Sequence, residues 1–399
     1  MLSFGLVTVF MGNIGQSFFI SWYGAEIQRS LSLSAASYGS AYSLATLVSG
    51  TTILVVGSWI DRMSLLKYTT LAALGLFVAC WLFFFSGHIF VLLLAFFMVR
   101  LCGQGLMPHI GLTTMARYFD KDRGKAISLA ASGVSLGEIV LPGLAVMLIA
   151  AVGWHKSWAI IAFSIPLLFL PGIYLLLKKT ASIGYSTQAP LQVKANVNGE
   201  HSASARLLLL RDWRFWRALP AITAAPFLVT GIFIHQNFIL NEKSWSPEFF
   251  AMAFVVYGVV HWLSSIGTGF LVDKFSATRL LPFYVLPLIL SLLSVMLFAE
   301  EWASVLMLGF LGVSIGASSS IVGSLWAEAY GTEHIGSIRS TSSTFVVWST
   351  AASPVLLGVL IDRGIALNTL LLAMIIAVFI ASLLAAFSYR RSNLLGATA

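Results

Sequence analysis

Long apolar runs, each about 20 residues, recur along the whole chain and are separated by short polar stretches. They predict twelve helices, near 3–27, 36–60, 67–86, 89–116, 125–151, 157–177, 216–240, 248–271, 279–299, 302–329, 337–361 and 366–389. About 20 apolar residues is the length that an α-helix needs to cross a bilayer, whereas barrel strands are shorter and alternate apolar with polar positions. The pattern therefore predicts an all-α membrane protein.

Composition strengthens this prediction. Of 399 residues, 58% are hydrophobic and only 10% are charged, which excludes a water-soluble protein. Cys80 and Cys102 both lie inside apolar runs, so no disulfide framework, metal cluster or cofactor is expected. The first run begins at residue 2 without a basic segment before it, and we interpret it as helix 1 rather than a cleaved signal peptide.

The distribution of basic residues predicts the orientation. Eighteen of the 23 lysines and arginines fall in the loops after even-numbered helices and in the C-terminal tail, and four fall in the opposite loops. The remaining one, Arg100, lies inside helix 4. The positive-inside rule then places both termini in the cytoplasm, with the chain in the cytoplasmic membrane. The formal charge of +8 is thus a topology signal, and no nucleic-acid partner is implied.

The two halves of the sequence repeat each other at an offset of 212 residues. The offset relates six pairs: Gly57/Gly269, Asp61/Asp273, Gly111/Gly323, Tyr118/Tyr330, Gly124/Gly336 and Pro142/Pro354. Because six helices precede the repeat, the halves share one orientation in the membrane. We therefore expect a six-helix bundle over 1–178, a cytoplasmic linker over 179–214 and a second bundle over 215–399. Residues 206–217 are expected to form an interfacial amphipathic helix at the end of the linker.

Several motifs resemble those of a known family. The sequence GSWIDR at 57–62, followed by Lys67, resembles the signature of the major facilitator superfamily. RYFDKDRGKA at 117–126 and GVSLGEIVLPG at 133–143 look like the branch of monocarboxylate carriers and oxalate/formate exchangers. The resemblance implies a twelve-helix secondary transporter built from two parallel-related bundles, expected to be a monomer. That branch holds its anion on a cationic residue of helix 8, whereas residues 248–271 contain no lysine or arginine.

Two charged residues are predicted to lie deep in the membrane. Arg100 in helix 4 and Glu138 in helix 5 lie at similar depths, and a charge at the bilayer centre costs roughly 2.5–3.5 kcal/mol. An ion pair between Arg100 and Glu138 is therefore expected. Arg100, ahead of Gly103 and Gly105, is similar to the helix 4 arginine motif that the superfamily links to proton coupling. The alternative is a pair that only neutralises itself.

Polar side chains inside apolar helices are candidates for contact with a solute. Helix 1 carries Asn13, Gln16 and Tyr23, and helix 7, its symmetry mate, carries a run of three polar residues, namely His235, Gln236 and Asn237. His261 in helix 8 is a further candidate, because histidine ordinarily changes charge near neutral pH, and Arg100 completes the predicted site. The alternative is that these side chains join helices to one another.

The pattern G-x-S-x-G occurs at 133–137 and at 312–316. A nucleophile elbow needs a strand–turn–helix context, whereas both copies lie inside apolar helices. We interpret their glycines as positions of close helix packing. No enzymatic activity is predicted.

A latch at the cytoplasmic face is predicted twice by the repeat. Asp61 ends helix 2 and Asp273 ends helix 8, and a helix N-terminus attracts an acidic side chain. Asp61 is expected to approach the start of helix 11, around Gly336 to Arg339, and Asp273 the start of helix 5. The residues Gly57, Arg62 and Gly269 complete the predicted gate. The alternative is that each aspartate only neutralises a neighbouring basic residue.

Together these features predict a transporter that moves a small polar organic solute, a carboxylate being one option, by alternating access with protons as the coupling ion. Two alternatives remain open at this point. One is a proton-antiporting exporter of drugs or siderophores, and the other is a membrane sensor that transports nothing.

Overall fold

The computed structural model describes residues 1–119, 122–182, 207–331 and 335–389, and every regular element within these ranges is a helix. In chain order the elements are α1 (Leu2–Gly15 and Ser17–Ser30), α2 (Ala35–Asp61), α3 (Leu65–Phe84), α4 (Ile89–Tyr118), α5 (Arg123–Val152), α6 (Trp154–Thr180), α7 (Trp213–Ile234, then Gln236–Lys243), α8 (Pro247–Phe275), α9 (Leu286–Leu297), α10 (Ala303–Tyr330), α11 (Ile335–Asp362) and α12 (Leu367–Ala386).

The predicted all-α membrane architecture is confirmed. Within the described ranges, ten helices are long and apolar enough to span a bilayer, and the two pieces of α1 make an eleventh span if they are counted together. The remaining element, α9, is a shorter apolar helix.

The predicted helix 279–299 begins earlier than α9 does, because a proline interrupts the apolar run. A short helix, Ala277–Leu280, is followed by turns over residues 281–285 before α9 begins. Pro282 lies in this interval, has no N–H to donate and disfavours a helical conformation at the residue before it. Pro287 then occupies the first turn of α9, where a missing N–H costs nothing.

The helix α1 bends by 50° at Gln16. Gln16 has an extended backbone, with φ −79° and ψ 151°, which interrupts the ladder of helical hydrogen bonds. The amide of Phe19, which would donate to Gly15 in a regular helix, donates instead to the carbonyl of Gln16 at 3.1 Å. The carbonyl of Gly15 is therefore available to another donor.

The helix α4 contains a π-helical segment, Arg100–Leu106, against which the bend of α1 packs. The distances that a Cβ atom would have if it were added to the glycines at this contact show how close the two backbones are. A Cβ on Gly103 would lie 2.7 Å from the Gly15 nitrogen, and a Cβ on Gly15 would lie closer than van der Waals contact to the Val99 carbonyl. Only glycine fits on both sides of this contact.

The two G-x-S-x-G motifs are packing sites, as predicted. A Cβ on Gly133 would lie 2.6 Å from the Leu6 carbonyl oxygen, so α5 contacts α1 at the backbone. A Cβ on Gly312 would lie 2.8 Å from the Tyr257 carbonyl oxygen, so α10 contacts α8 in the same way. Neither motif lies in a strand–turn–helix context.

The chain divides into two compact units. Unit 1 comprises Met1–Lys194 together with Phe233–Asn237, and unit 2 comprises Ala195–Ile232 together with Phe238–Ala399. Unit 1 thus holds α1–α6, and unit 2 holds most of α7 and all of α8–α12. The five residues 233–237, which the sequence-based division placed in the second bundle, belong to unit 1 by their contacts.

The predicted amphipathic helix over residues 206–217 is interrupted at Asp212. Arg206 lies outside the described residues, and residues 207–211 are helical before a break at Asp212. Asp212 accepts hydrogen bonds from the Arg214 guanidinium at 3.0 Å and from the Tyr330 hydroxyl at 2.8 Å. Burial raises the pKa of the Asp212 carboxyl, but these hydrogen bonds outweigh it and hold that pKa below its usual value.

Replacing Gly316 with alanine should lower the midpoint of thermal unfolding in detergent. The new Cβ would lie 2.8 Å from the Ser265 nitrogen and closer still to the His261 carbonyl oxygen, and overpacking of this kind costs about 1–3 kcal/mol. Gly309→Ala on the same helix is the control, because its Cβ meets only the Val256 side chain at 3.7 Å. Equal midpoints for the two variants would contradict the packing role.

Candidate functional site

The bend of α1 places Asn13 against α5. Asn13 is fully buried, and its Nδ2 donates to the Gly133 carbonyl at 2.8 Å, so this side chain joins two helices. Its Oδ1 has no hydrogen-bond partner among the described residues. Gln16, at the bend itself, is half-buried. Asn13 therefore has a packing contact and a spare acceptor at the same position.

Arg100 is buried next to the same bend. It is 4% exposed, and its Nη1 donates to the freed Gly15 carbonyl at 3.1 Å. Its guanidinium carbon lies 5.0 Å from the centre of the Tyr42 ring, within the range of a cation–π interaction. The Nε of Arg100 has no partner in the described part of the chain. A buried cation is thus held by a carbonyl and an aromatic ring.

The predicted ion pair between Arg100 and Glu138 is wrong for this conformation. No ion pair joins these two described residues, although Glu138 is only 3% exposed and has other contacts. The physical reason is the bend of α1, which packs against α4 through Gly15 and against α5 through Asn13. Equal depth in the membrane does not bring two side chains together when a third helix lies between them.

An aromatic group surrounds Arg100 and Tyr23 in unit 1. The rings of Tyr38 and Tyr42 each contact Phe96, with centroids 5.7 and 5.6 Å away, and the Tyr38 hydroxyl has no partner within the described ranges. Tyr23 packs on Trp158 at 4.6 Å, and its hydroxyl accepts a hydrogen bond from Ser157 at 3.2 Å. Sequence analysis missed the two tyrosines of α2, although their i, i+4 spacing inside a membrane helix was a usable signal.

The polar run of α7 contacts α1 within unit 1. The helix is interrupted at His235, which is 5% exposed. Gln236 is fully buried, and its Oε1 accepts a hydrogen bond from the Ser21 hydroxyl at 3.0 Å. Asn237 Nδ2 lies beside Gly24. The structure thus brings the polar residues of α7 to α1 and adds Ser21, while their role in solute contact stays a prediction.

Unit 1 concentrates buried polar atoms that lack a hydrogen-bond partner among the described residues. They are Asn13 Oδ1, Tyr38 Oη, Ser43 Oγ, Arg100 Nε, Trp158 Nε1, Gln236 Nε2 and Asn237 Nδ2. Leaving a buried donor or acceptor unsatisfied costs about 1–3 kcal/mol. Buried polar atoms of this kind are completed by ordered water, by an ion or by another bound molecule.

Unit 2 contains a cavity of about 450 Å³ between α7, α8, α10 and α11. Two residues singled out from the sequence, His261 and Arg339, line it, although the first was predicted as a solute contact and the second as part of a gate. Four serines also line it, and sequence analysis missed all of them: Ser318, Ser319, Ser342 and Ser343. Serine is common at helix contacts, so its presence gave no distinct signal.

The predicted gate residues of the first half form a small network at the end of α2. Asp61 pairs with Arg117 of α4, and the Gly57 carbonyl lies 3.1 Å from Nε2 of His109. Arg62 is exposed, and no ion pair joins it to Asp61. The partner of Asp61 is thus a residue from another helix rather than its sequence neighbour.

The second half does not reproduce this network. Asp273 is exposed, and the residue that the repeat pairs with Arg117 is Ala329. A Cβ on Gly269 would meet no atom within 4 Å. Glu328, one residue before Ala329, instead accepts hydrogen bonds at the start of the helix Ala277–Leu280, with the Ala277 amide at 2.8 Å. The repeat in sequence is therefore not a repeat in side-chain chemistry.

Comparison with known proteins agrees with this architecture. The sequence profile described as Major Facilitator Superfamily matches residues 3–354. The chain is similar to the crystal structure of a point mutant of the nucleoside transporter NupG, with a TM-score of 0.72 and 12% identity over 98% of this chain and 100% of that one. None of the curated proteins searched matches.

A second similar structure is a bacterial homologue of the human lysosomal transporter Spinster in an inward-facing conformation. Its unoccupied form has a TM-score of 0.63 and 16% identity over 97% of this chain and 95% of that one. Its occupied form has a TM-score of 0.66 and 16% identity over 96% and 94%. Because the family profile spans most of the sequence and the helical fold agrees with these transporters, the chain belongs to the Major Facilitator Superfamily.

Proposed function

We propose that this protein is a secondary active transporter that moves a small polar organic solute across the cytoplasmic membrane by alternating access, with protons as the coupling ion. Both termini lie in the cytoplasm in this proposal. The resemblance of its motifs to the branch of monocarboxylate and oxalate/formate carriers makes carboxylates one class of candidate solute.

The observation that carries the proposal is the concentration of unsatisfied buried polar atoms in unit 1. Both donors and acceptors are present there: Arg100 Nε and Gln236 Nε2 can donate, Asn13 Oδ1 can accept, and the Tyr38 hydroxyl can do both. A purely structural core would contain apolar side chains at these places, since unsatisfied polar groups destabilise it. A polar solute with several hydrogen-bonding groups satisfies such a set when the helices open around it.

The composition of the site points to a solute with an aromatic or ring-shaped part as well as polar groups. Trp158 stacks on Phe83 at 4.2 Å, and Phe96 packs between two tyrosines, so flat apolar faces lie next to the polar atoms. Nucleosides, the solutes named for one structural neighbour, combine these features and belong in a test panel with carboxylates, drugs and siderophores.

Arg100 is expected to be essential for transport, because its buried charge contacts a neutral carbonyl and an aromatic ring rather than a carboxylate. In proteoliposomes assayed with the panel, Arg100→Gln should lower the rate of solute flux at least about tenfold, the effect of losing one charged hydrogen bond. Arg29→Gln, at an arginine whose side chain is 74% exposed, is the matched control.

Two outcomes would oppose this function. Flux that is unchanged in Arg100→Gln would remove Arg100 from the transport path. An absence of solute-dependent flux for every compound in the panel would favour a sensor without transport activity.

Glu138 is proposed to carry the coupled proton, since it is a carboxyl buried inside a membrane helix, next to residues that contact Asn13. Glu138→Gln should leave exchange of solute across the membrane intact while removing its acceleration by a pH gradient. The measurement compares counterflow at equal pH with uptake driven by a gradient of about one pH unit, which is worth about 1.4 kcal/mol per proton. Gradient-driven uptake equal to the unsubstituted protein would assign coupling to another group, with His261 as the next candidate.

The cytoplasmic latch stays a prediction, with Arg117 added as the side chain that orients Asp61. Asp61→Asn should increase labelling, from the inside, of a reporter cysteine placed between the two bundles, because a contact of Asp61 with the start of α11 contributes about 0.3–2 kcal/mol. Asp122→Asn is the control, since Asp122 is an exposed aspartate that pairs with its neighbour Lys125 at 2.9 Å. Unchanged labelling in Asp61→Asn and Asp273→Asn would leave these aspartates without a gating role.

A further inference from the structure

The cavity of unit 2 is lined by two polar helix faces. On α11 the lining residues Arg339, Ser342, Ser343 and Val346 are spaced i, i+3, i+4 and i+7, which is one face of a helix. On α10 the neighbouring serines Ser318 and Ser319 both line the cavity. The wall of the cavity therefore follows from the helical periodicity of two neighbouring elements.

The electrostatic character of this cavity is positive. Arg339 donates from Nη2 to the Gly323 carbonyl, which uses one of the five N–H donors of its guanidinium. The lining contains no aspartate or glutamate, and none of the ion pairs in the described part of the chain includes Arg339. Its other donors have no partner among the described residues, so an anion can accept from them.

Comparison of the two halves shows that the fold does not require this polarity. The offset of 212 pairs Arg339 with Ile127, and Ser342 with Ala130. In unit 1, Ile127 and Ala130 pack in an apolar cluster with Val9 and Met115. The same face of the same repeated helix is thus apolar and filled in one unit, and cationic, hydroxylated and open in the other.

We propose that the cavity of unit 2 binds the anionic group of a hydroxylated organic solute, with Arg339 as the cation and Ser342, Ser343 and Ser318 as hydrogen-bond partners. Its volume of about 450 Å³ lies within the usual range for small-molecule sites. The indole of Trp326 forms an apolar wall, and His261 contributes a further polar group from α8. This inference rests on the proposed transport function and narrows its substrate class.

The proposal gives this chain a cation on α11, whereas the branch that its motifs resemble carries one on helix 8. It also assigns Arg339 to solute binding rather than to a gate. Carboxylates and phosphate esters both supply the required chemistry, an anionic head that accepts several N–H donors beside hydroxyl groups.

Binding is measured on the full chain purified in detergent, by titration calorimetry and by the shift in thermal unfolding. The probes are matched pairs, gluconate with glucose and glycerol 3-phosphate with glycerol, and acetate serves as an anion without hydroxyl groups. At least one hydroxylated anion should bind about tenfold or more tightly than its neutral partner and than acetate. The pair that responds identifies the anionic group.

Arg339→Gln should weaken binding of the responding anion about 10- to 100-fold, and Ser342→Ala less than that. Arg339→Lys should retain part of the affinity, since it keeps the charge without the planar fork of donors. Arg363→Gln is the matched control, because Arg363 follows the same helix and is exposed. The proposal is overturned if no hydroxylated anion outbinds its neutral partner, or if Arg339→Gln binds as tightly as the unsubstituted chain.

Failure of this inference is distinguishable from failure of the transport function. Solute flux in proteoliposomes combined with unchanged anion affinity in Arg339→Gln would overturn only the anion site. Anion binding that depends on Arg339, without flux of any solute, would overturn transport and leave the site in place.

Discussion

The hydrogen bond from Arg100 to the Gly15 carbonyl is the interaction on which the arrangement of unit 1 depends. A membrane helix has no water to satisfy a broken backbone ladder, so the bend of α1 at Gln16 requires a donor from another helix. Arg100 supplies it at 3.1 Å and thereby enters the interior as a charge. The carbonyl and the Tyr42 ring reduce the cost of that charge, so the bend and the buried arginine stabilise each other.

Glycine makes this interaction geometrically possible. The guanidinium reaches the bend because Gly15 and Gly103 let the backbones of α1 and α4 touch, and the π-helical segment of α4 widens the helix at that place. In lipid, apolar surface gives little drive for one helix to prefer another, so close backbone contact and interhelical hydrogen bonds determine packing. The same rule explains why both G-x-S-x-G motifs lie at helix contacts.

The sequence predicted the helices well because their length is set by the bilayer and their composition by lipid. It predicted the wrong start for α9, where Pro282 interrupts an otherwise apolar run, and it did not predict the bend at Gln16, which depends on α4. The Arg100–Glu138 pair failed for a related reason, since depth follows from residue counting but the order of helices around an axis does not. The serines of the cavity were missed because serine occurs in membrane helices both at helix contacts and in binding sites.

A repeat constrains the backbone more strongly than the side chains. Both halves contain six helices in the same chain order, so landmarks such as Gly57 and Gly269 persist at one offset. Polar chemistry is not constrained in this way. Unit 1 keeps its unsatisfied polar atoms near the bend of α1, whereas unit 2 has its cationic cavity along α10 and α11. The repeat therefore does not predict which side chains line the cavity of unit 2, where Arg339 occupies the position that the offset gives to Ile127 in unit 1.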